Sequence, residues 1–305
     1  MLEKCGLLER AWEAAGPGPG AGAGSLRVLQ FNCLADGLAQ SGGFARCPPE
    51  ALEWGVRRAG LEAELERAGA DLLGLQEVNH FDDWLHGFLS GRGYATLFLK
   101  KAKSPCLALG FPADGLVLAW KESRFELEDL YKGAYEGFGQ GAAVATLRER
   151  ATGRTLVFGT THLKAKPEGA AARMQQAQQL ADRVAASAKR ARTKDVIITG
   201  DFNEEPGEVL RVLEGGEVPL VDTCRGWSAN GDAAGPAFTT WKFRPTPGGG
   251  PLREKRERID YVLAAGAPRL CARLTLPSIA SVGPAGLPST AYPSDHFALA
   301  LAFSW

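Results

Sequence analysis

Asp201 and Asn203 stand in TGDFNEEP (199–206), where the apolar run DVII breaks off on a carboxylate and, two residues later, an amide. If the chain stays extended, residues two apart project from one face, with Phe202 turned the other way into the core. A carboxylate beside an amide suits hydrolysis of a phosphate ester: the carboxylate orients and deprotonates a water, and the amide donates to a phosphoryl oxygen. Such a site needs a cation to offset its anionic charge. Glu77 and Asn32 also close apolar runs and supply hard oxygen ligands, and no cysteine or histidine cluster competes. This sparse oxygen set suits a magnesium ion that keeps several waters, with manganese as a substitute.

His162, Asp260, Asp295 and His296 lie at the same kind of boundary. Any one of them alone reads as an ordinary strand end, cap or turn. Together they form a rim of polar groups. His296 directly follows Asp295 and is expected near Asp260. It can pair with one carboxylate and present its other nitrogen to a phosphate. Asp295 is placed with Glu77 and Asn32 on the metal side.

The elements that must hold this rim follow from hydropathy. LRVLQF (26–31), ADLLGLQEV (70–78), TLVFGTTHL (155–163) and DVIITGDF (195–202) read as strands that finish on polar residues. A helix opened by proline and closed by glycine is expected over 48–69, and a second long helix over 168–192. Strand, long helix, strand thus occurs in each half, which hints at a duplication. RIDYVLAA (258–265) and FALALAFSW (297–305) read as strands that start on polar residues, so antiparallel entry brings them to the same rim. Many strands with few helices between them give an α/β protein built as two packed sheets covered by helices.

Before this body, Leu2, Leu8 and Trp12 fall at roughly helical spacing, and GPGPGAGAGS (16–25) reads as a flexible linker. Residues 1–25 are therefore expected to be a short amphipathic segment with its linker, and 26–305 the folded domain. RPTPGGGPLREKRER (244–258) reads as a solvated loop, or else as a phosphate-contacting flap beside the site.

Lys+Arg and Asp+Glu both number 35, so the whole-chain electrostatic footprint of a duplex nucleic-acid binder is missing. The six cysteines lack zinc-site spacing and read as reduced thiols in an intracellular compartment, the cytoplasm with the mitochondrion as alternative. No apolar stretch is long enough to span a bilayer.

The boxes LQFNCLA, LLGLQEV, TTHLKA, ITGDFNEEP, RIDYV and YPSDHFAL occur in that order across 26–305. In this the chain resembles the endonuclease/exonuclease/phosphatase superfamily of metal-dependent phosphoesterases. FNCLADGLAQ, KAKSPCL, THLKAK and FTTWKFR look most like its nocturnin-like branch, related to the deadenylases of the carbon-catabolite-repression type. The resemblance implies a four-layer αββα sandwich and a magnesium held by Glu77 with Asn32 nearby. It implies that Asp201 and Asn203 align water and phosphate, that His162 and His296 contact phosphoryl oxygens, and that Asp260 orients His296. It carries substrate binding onto Lys101, Lys164, Lys166 and Arg244, although the branch usually has arginine where Lys166 stands. The implied activity is hydrolysis of a phosphate ester of an adenine nucleotide, first the 2′-phosphate of NADP(H). Trimming of the 3′ end of poly(A) RNA is the alternative, and a catalytically silent binding protein the third reading. A monomer away from membranes, acting on a nucleotide, is expected.

Overall fold

Period-two alternation in the apolar runs decides the architecture of this computed structural model, which describes residues 7–14, 24–225, 237–246 and 248–305. In chain order the elements are β1 (Trp12–Ala14), β2 (Leu26–Asn32), α1 (Asp36–Ala39), α2 (Trp54–Ala68), β3 (Leu72–Val78), α3 (His86–Ser90), β4 (Tyr94–Lys100), β5 (Gly115–Lys121), β6 (Phe125–Ala134), β7 (Gly141–Glu149) and β8 (Thr155–His162). There follow α4 (Ala170–Ala191), β9 (Val196–Asp201), α5 (Glu208–Glu214), β10 (Val221–Asp222), β11 (Thr240–Arg244), β12 (Arg253–Glu257), β13 (Asp260–Ala265), β14 (Arg269–Leu274), α6 (Ile279–Val282) and β15 (Leu299–Ser304).

The first sheet runs β1-β14-β15-β2-β3-β5-β4 and the second β10-β13-β9-β8-β7-β6. Among the described residues only the pairs β2/β3 and β8/β9 are parallel. Each is a strand–helix–strand unit, and α2 and α4 are the crossovers such pairs require. Leu26 and Val28 on β2, Phe158 on β8, Ile197 on β9 and Val262 on β13 share the core between the sheets. The alternate residues turn outward: Leu29 and Phe31 pack with Leu61 and Leu65 of α2, and Val157 and Ile198 with Leu180 and Val184 of α4. The result is the four-layer αββα sandwich expected from the sequence. Gly74 lets the first sheet pack closely on the second: a Cβ there would lie 1.9 Å from Thr199 Oγ1.

Three expectations change. Residues 11–14 do not continue a helix, because β1 adds antiparallel to the free edge of β14, with Trp12 opposite Leu274. Arg10 anchors this segment, its buried guanidinium donating to Glu64 at 2.5 Å and to the Ala298 carbonyl at 2.6 Å. The folded body therefore takes in residues before Leu26. Leu2 and most of the expected linker lie outside the described residues. The helix expected from 48 begins at Trp54, since Glu53 is extended and cuts off a separate 3-10 turn at Pro49–Leu52. Finally, 244–258 is not a loop throughout: Arg244 closes β11 and 253–257 form β12, the two strands pairing from Thr240↔Glu257 to Arg244↔Arg253. Among the described residues, no helix is long and apolar enough to cross a membrane.

Candidate active site

The alternation that fills the space between the sheets with Val, Phe and Ile continues, toward the ends of the strands, as polar residues. On β2 the inward positions after Val28 are Gln30 and Asn32; on β8 they are Thr160 and His162; on β9, Thr199 and Asp201; β13 enters on Asp260. Register aligns the tips, with His162 opposite Asp201 and Asp201 opposite Asp260. The rim foreseen in the sequence is thus the wet end of the inter-sheet core.

Burying polar groups here requires partners, and they come both from within a sheet and from across the interface. Gln30 and Gln76 exchange amide hydrogen bonds at 2.6 and 2.8 Å, and Gln76 Nε2 also donates to Thr160 Oγ1 at 2.9 Å. Gln30 Nε2 reaches Asp260 Oδ1 at 3.1 Å. The other Asp260 oxygen accepts from Thr239 Oγ1 at 2.7 Å and lies 2.8 Å from His296 Nδ1. Asp260 therefore fixes His296 as an aspartate–histidine dyad and leaves Nε2 facing Asp201 Oδ2 at 3.8 Å. Burial alone would disfavour the imidazolium, and Lys242 adds to that, yet Asp260, Asp295 and Asp201 outweigh both and raise the His296 pKa to about 9.

Asp201 is the meeting point. Its Oδ2 accepts from Asn32 Nδ2 at 3.0 Å and lies 3.5 Å from His162 Nε2. Asn32 Nδ2 also points at Glu77 Oε1, 3.2 Å away. Simple alternation would send Glu77 outward with Leu73 and Leu75. Instead the register of β3 slips between Leu75 and Val78, and Glu77 takes a left-handed φ of 56°. This bulge turns the carboxylate into the site, a local strain of the sort found at functional positions.

Asn203 departs from the expected geometry. The strand stops at Asp201, and Asn203 takes φ 51°, so the two side chains do not simply share an extended face. Its backbone N–H donates to Asp201 Oδ1 at 2.9 Å and its side-chain amide to the Leu163 carbonyl at 3.1 Å, which leaves one amide N–H for a ligand. Asp295 departs further. Its Oδ2 accepts from Lys242 Nζ at 2.6 Å and faces Arg244 at 3.4 Å, and despite its burial these cations and His296 hold the carboxyl well below the usual range. It is thereby committed to cations and not to the Glu77 side of the site.

Of the four basic residues carried over by resemblance, Arg244 reaches the rim, bound to the Gly43 carbonyl at 2.8 Å and lying over the Phe44 ring. Lys101, 3.5 Å from Asp114, lines a recess with Gln140 and His162. Lys164 and Lys166 are exposed on a loop whose carbonyls are held by Arg173 at 3.0 and 2.8 Å.

Sequence reasoning missed Lys242, whose Nζ is 3.4 Å from His296 Nε2, and the buried Arg57. The latter donates to the carbonyls of Cys33, Leu34 and Pro293 and so joins the turn after Asn32 to the turn before Asp295. Gln30 and Gln76 could have been found as polar breaks at even spacing from Asn32, and Lys242 from the alternation of TWKFR.

A model of the "Endonuclease/Exonuclease/phosphatase family" matches residues 29–296, from β2 to the histidine of the dyad. The chain belongs to this family. Within it the chain is nocturnin-like. It is 36% identical to nocturnin of Xenopus laevis over 92% of its own length and 73% of that protein's. To human nocturnin it is 33% identical over 92% of its length, spanning 65% of the human protein. The structure of the human nocturnin catalytic domain with bound sulfate anion superposes with a TM-score of 0.77 at 27% identity, covering 97% of each chain. Family members hydrolyse phosphate esters with a divalent metal ion.

The residues present fit such an ion. Glu77, turned inward by its bulge, has no lysine, arginine or histidine within ion-pair distance among the described residues, and Asp201 lies across Asn32 from it. Two carboxylates meet at the Asn32 amide N–H, and that of Glu77 lacks a counter-charge, which suits a hard cation. Asp201, Asp260 and His296 also lie within 4.8 Å of one another. There, however, Asp260 is already engaged by Gln30, Thr239 and His296, so the leading metal-side donor is Glu77; Asn32 stands beside it with its NH2 toward both carboxylates and its Oδ1 accepting from the Leu34 N–H at 3.0 Å.

Proposed function

We propose that the chain is a magnesium-dependent phosphoesterase of adenine nucleotides whose lead substrate is the 2′-phosphate of NADP(H). The observation that carries this reading is the convergence on Asp201 Oδ2: Asn32 at 3.0 Å, His162 at 3.5 Å and His296 at 3.8 Å. One carboxylate oxygen is thus reached from β2, β8 and the turn before β15.

In this mechanism Glu77, with Asn32 beside it, would hold the metal, which when bound would offset phosphoryl charge and lower the pKa of a water. Asp201 orients the attacking water and takes its proton. Its own position is fixed by the backbone N–H of Asn203. His296, kept charged by Asp260, and His162 donate to phosphoryl oxygens, where in-line displacement concentrates negative charge. Asn203 offers its remaining amide N–H to the same group. No covalent intermediate is required.

The choice of a small dinucleotide rests on two features. The net charge is zero, whereas tracking of an extended strand draws on a basic groove. The recess beside His162, lined by Lys101, Asp114 and Gln140, is a local hollow rather than a channel. The sulfate in the human relative supports a site for a tetrahedral oxyanion.

The test incubates purified protein and magnesium with NADPH and, separately, with oligoadenylate-tailed RNA, measuring free phosphate and RNA length. Phosphate release without shortening is expected. Shortening alone would transfer the assignment to a 3′–5′ exoribonuclease, and inertness toward both would replace the enzyme with a binding protein.

A further inference from the structure

The β11–β12 hairpin carries a charge pattern that the proposed chemistry has not used. Directly paired residues of an antiparallel ladder show their side chains on one face. The register therefore sorts the arm into two sides. One side holds Trp241 opposite Arg256 and Phe243 opposite Glu254. These are mutually satisfied: Trp241 Nε1 donates to Glu254 at 2.9 Å, and the Arg256 guanidinium lies 4.4 Å from the Trp241 ring. The other side places Lys242 opposite Lys255 and, at the next pair on that face, Arg244 opposite Arg253.

Like charges directly opposite each other destabilise a ladder, and here two successive pairs on one face repeat the conflict on a sheet of only two strands. The compensation is incomplete. Asp295 answers Lys242 and Arg244, and Glu257 answers Lys255 at 2.9 Å. Four cations thus face two carboxylates. Arg253 is exposed and, among the described residues, has no ion-pair partner. An arrangement that costs stability and leaves a cation unused is what an anion-binding face looks like without its anion.

Its position says which anion. Lys242 Nζ lies 3.4 Å from His296 Nε2, so Lys242 abuts the reacting phosphoryl group, while Lys255 across from it is turned to Glu257 on its own strand. The outer pair is two residues further along the strand, about 6.6–6.8 Å away. That distance is too far to hold the phosphate being cleaved, and suits another phosphate of the same molecule.

We propose that Arg253 and Lys255 form, with Arg244, a binding face for a non-reacting phosphate of the substrate, so that the hairpin selects nucleotides carrying a phosphate group beyond the scissile one. This rests on the phosphoesterase reading above. The shared chemistry is a phosphodiester or pyrophosphate oxyanion. It has two sources, the pyrophosphate of a dinucleotide or the next linkages of an RNA.

The experiment compares wild type with the double variant Arg253→Gln/Lys255→Gln on adenosine 2′-phosphate, NADPH and oligoadenylate-tailed RNA. Neither residue belongs to the catalytic machinery. KM for the multi-phosphate substrate should rise roughly three- to tenfold at low salt with kcat unchanged, and the difference should fade as salt screens the contacts. KM for adenosine 2′-phosphate should not move, Arg253→Lys/Lys255→Arg should restore wild-type KM, and the thermal midpoint should hold or rise as the like-charge conflict is relieved. Whichever of NADPH and RNA shows the shift names the source. Unchanged KM for both, an equal rise for adenosine 2′-phosphate, or a lower midpoint would overturn the proposal. If wild type turns over nothing, the functional reading fails separately. Fluorescence-detected binding of NADPH and labelled oligoadenylate then decides the hairpin: weaker binding by the double variant upholds it, and equal binding removes it.

Discussion

The strand tips around Asp201 and the hairpin beside them are both polar, and they are built on opposite terms. At the tips each acceptor faces a donor. Asp260 has Gln30, Thr239 and His296, and Asp201 has Asn32, His162 and the Asn203 backbone. On the outer face of the hairpin, cation opposes cation. The first arrangement is pre-organised and buried, so its residues can be held to the geometry that charge development requires. The second is partly exposed and short of anions, which suits a surface whose partner arrives with the substrate. One region should lose rate when broken, the other affinity.

The largest effect is expected at the tips. Glu77→Ala and Asp201→Ala should each reduce kcat by about a thousandfold or more, with far-UV circular dichroism unchanged; near-normal turnover by either would dissolve the site assignment. Asp260→Asn keeps the volume but removes the charge that holds His296, and should lower kcat about a hundredfold. In a steady-state assay KM should move little, which separates it from the hairpin variants.

Between the two sheets, Gly74→Ala should cost about 1–3 kcal/mol in a denaturant titration, because the added methyl meets Thr199 and Thr160. No change in midpoint would mean that the sheets can part there without penalty.

The pH dependence tests the dyad directly. The folded-state pKa of His296, about 9, lies above the ordinary 6.5. Proton binding therefore favours the folded chain: this stabilisation is complete below about pH 6.5 and is lost as pH rises through 9. In metal-free protein, wild type should lose more thermal stability than His296→Gln between pH 6 and 9.5, and parallel curves would contradict the pairing. The smallest effect links the two regions. Lys242 disfavours the imidazolium, so Lys242→Gln should move the basic limb of the activity profile to higher pH, read from kcat across pH; a downward shift would refute that influence.

What the sequence made legible follows from the same physics. Asp201, His162, Asp260 and Asn32 lie on apolar strands whose period of two dictates where they point, so spacing alone foretold the rim. The inward turn of Glu77 depends on a bulge that no alternation announces. Asn203 depends on a left-handed residue that ended the extended run. Asp295 stood beside the dyad histidine in sequence, but its partners come from the hairpin strand that holds Lys242 and Arg244. That hairpin was hidden because REKRE offers no apolar face of its own, and its order comes from Trp241 and Phe243 opposite. β1 was hidden because three residues give no period, and the edge of β14 decided its conformation.

β15 pairs with both β14 and β2, between which it lies, and the dyad histidine sits in the turn leading into it. During synthesis β2 emerges long before β15 and waits with one edge open until β15 has been made. Contacts of such separation form slowly and leave strand edges exposed meanwhile. A nascent chain of this protein therefore carries its metal-side residues long before it has His296. Catalytic competence comes only once β15 is in place, so a product cut short before His296 would be inert and prone to pair with other chains through β2.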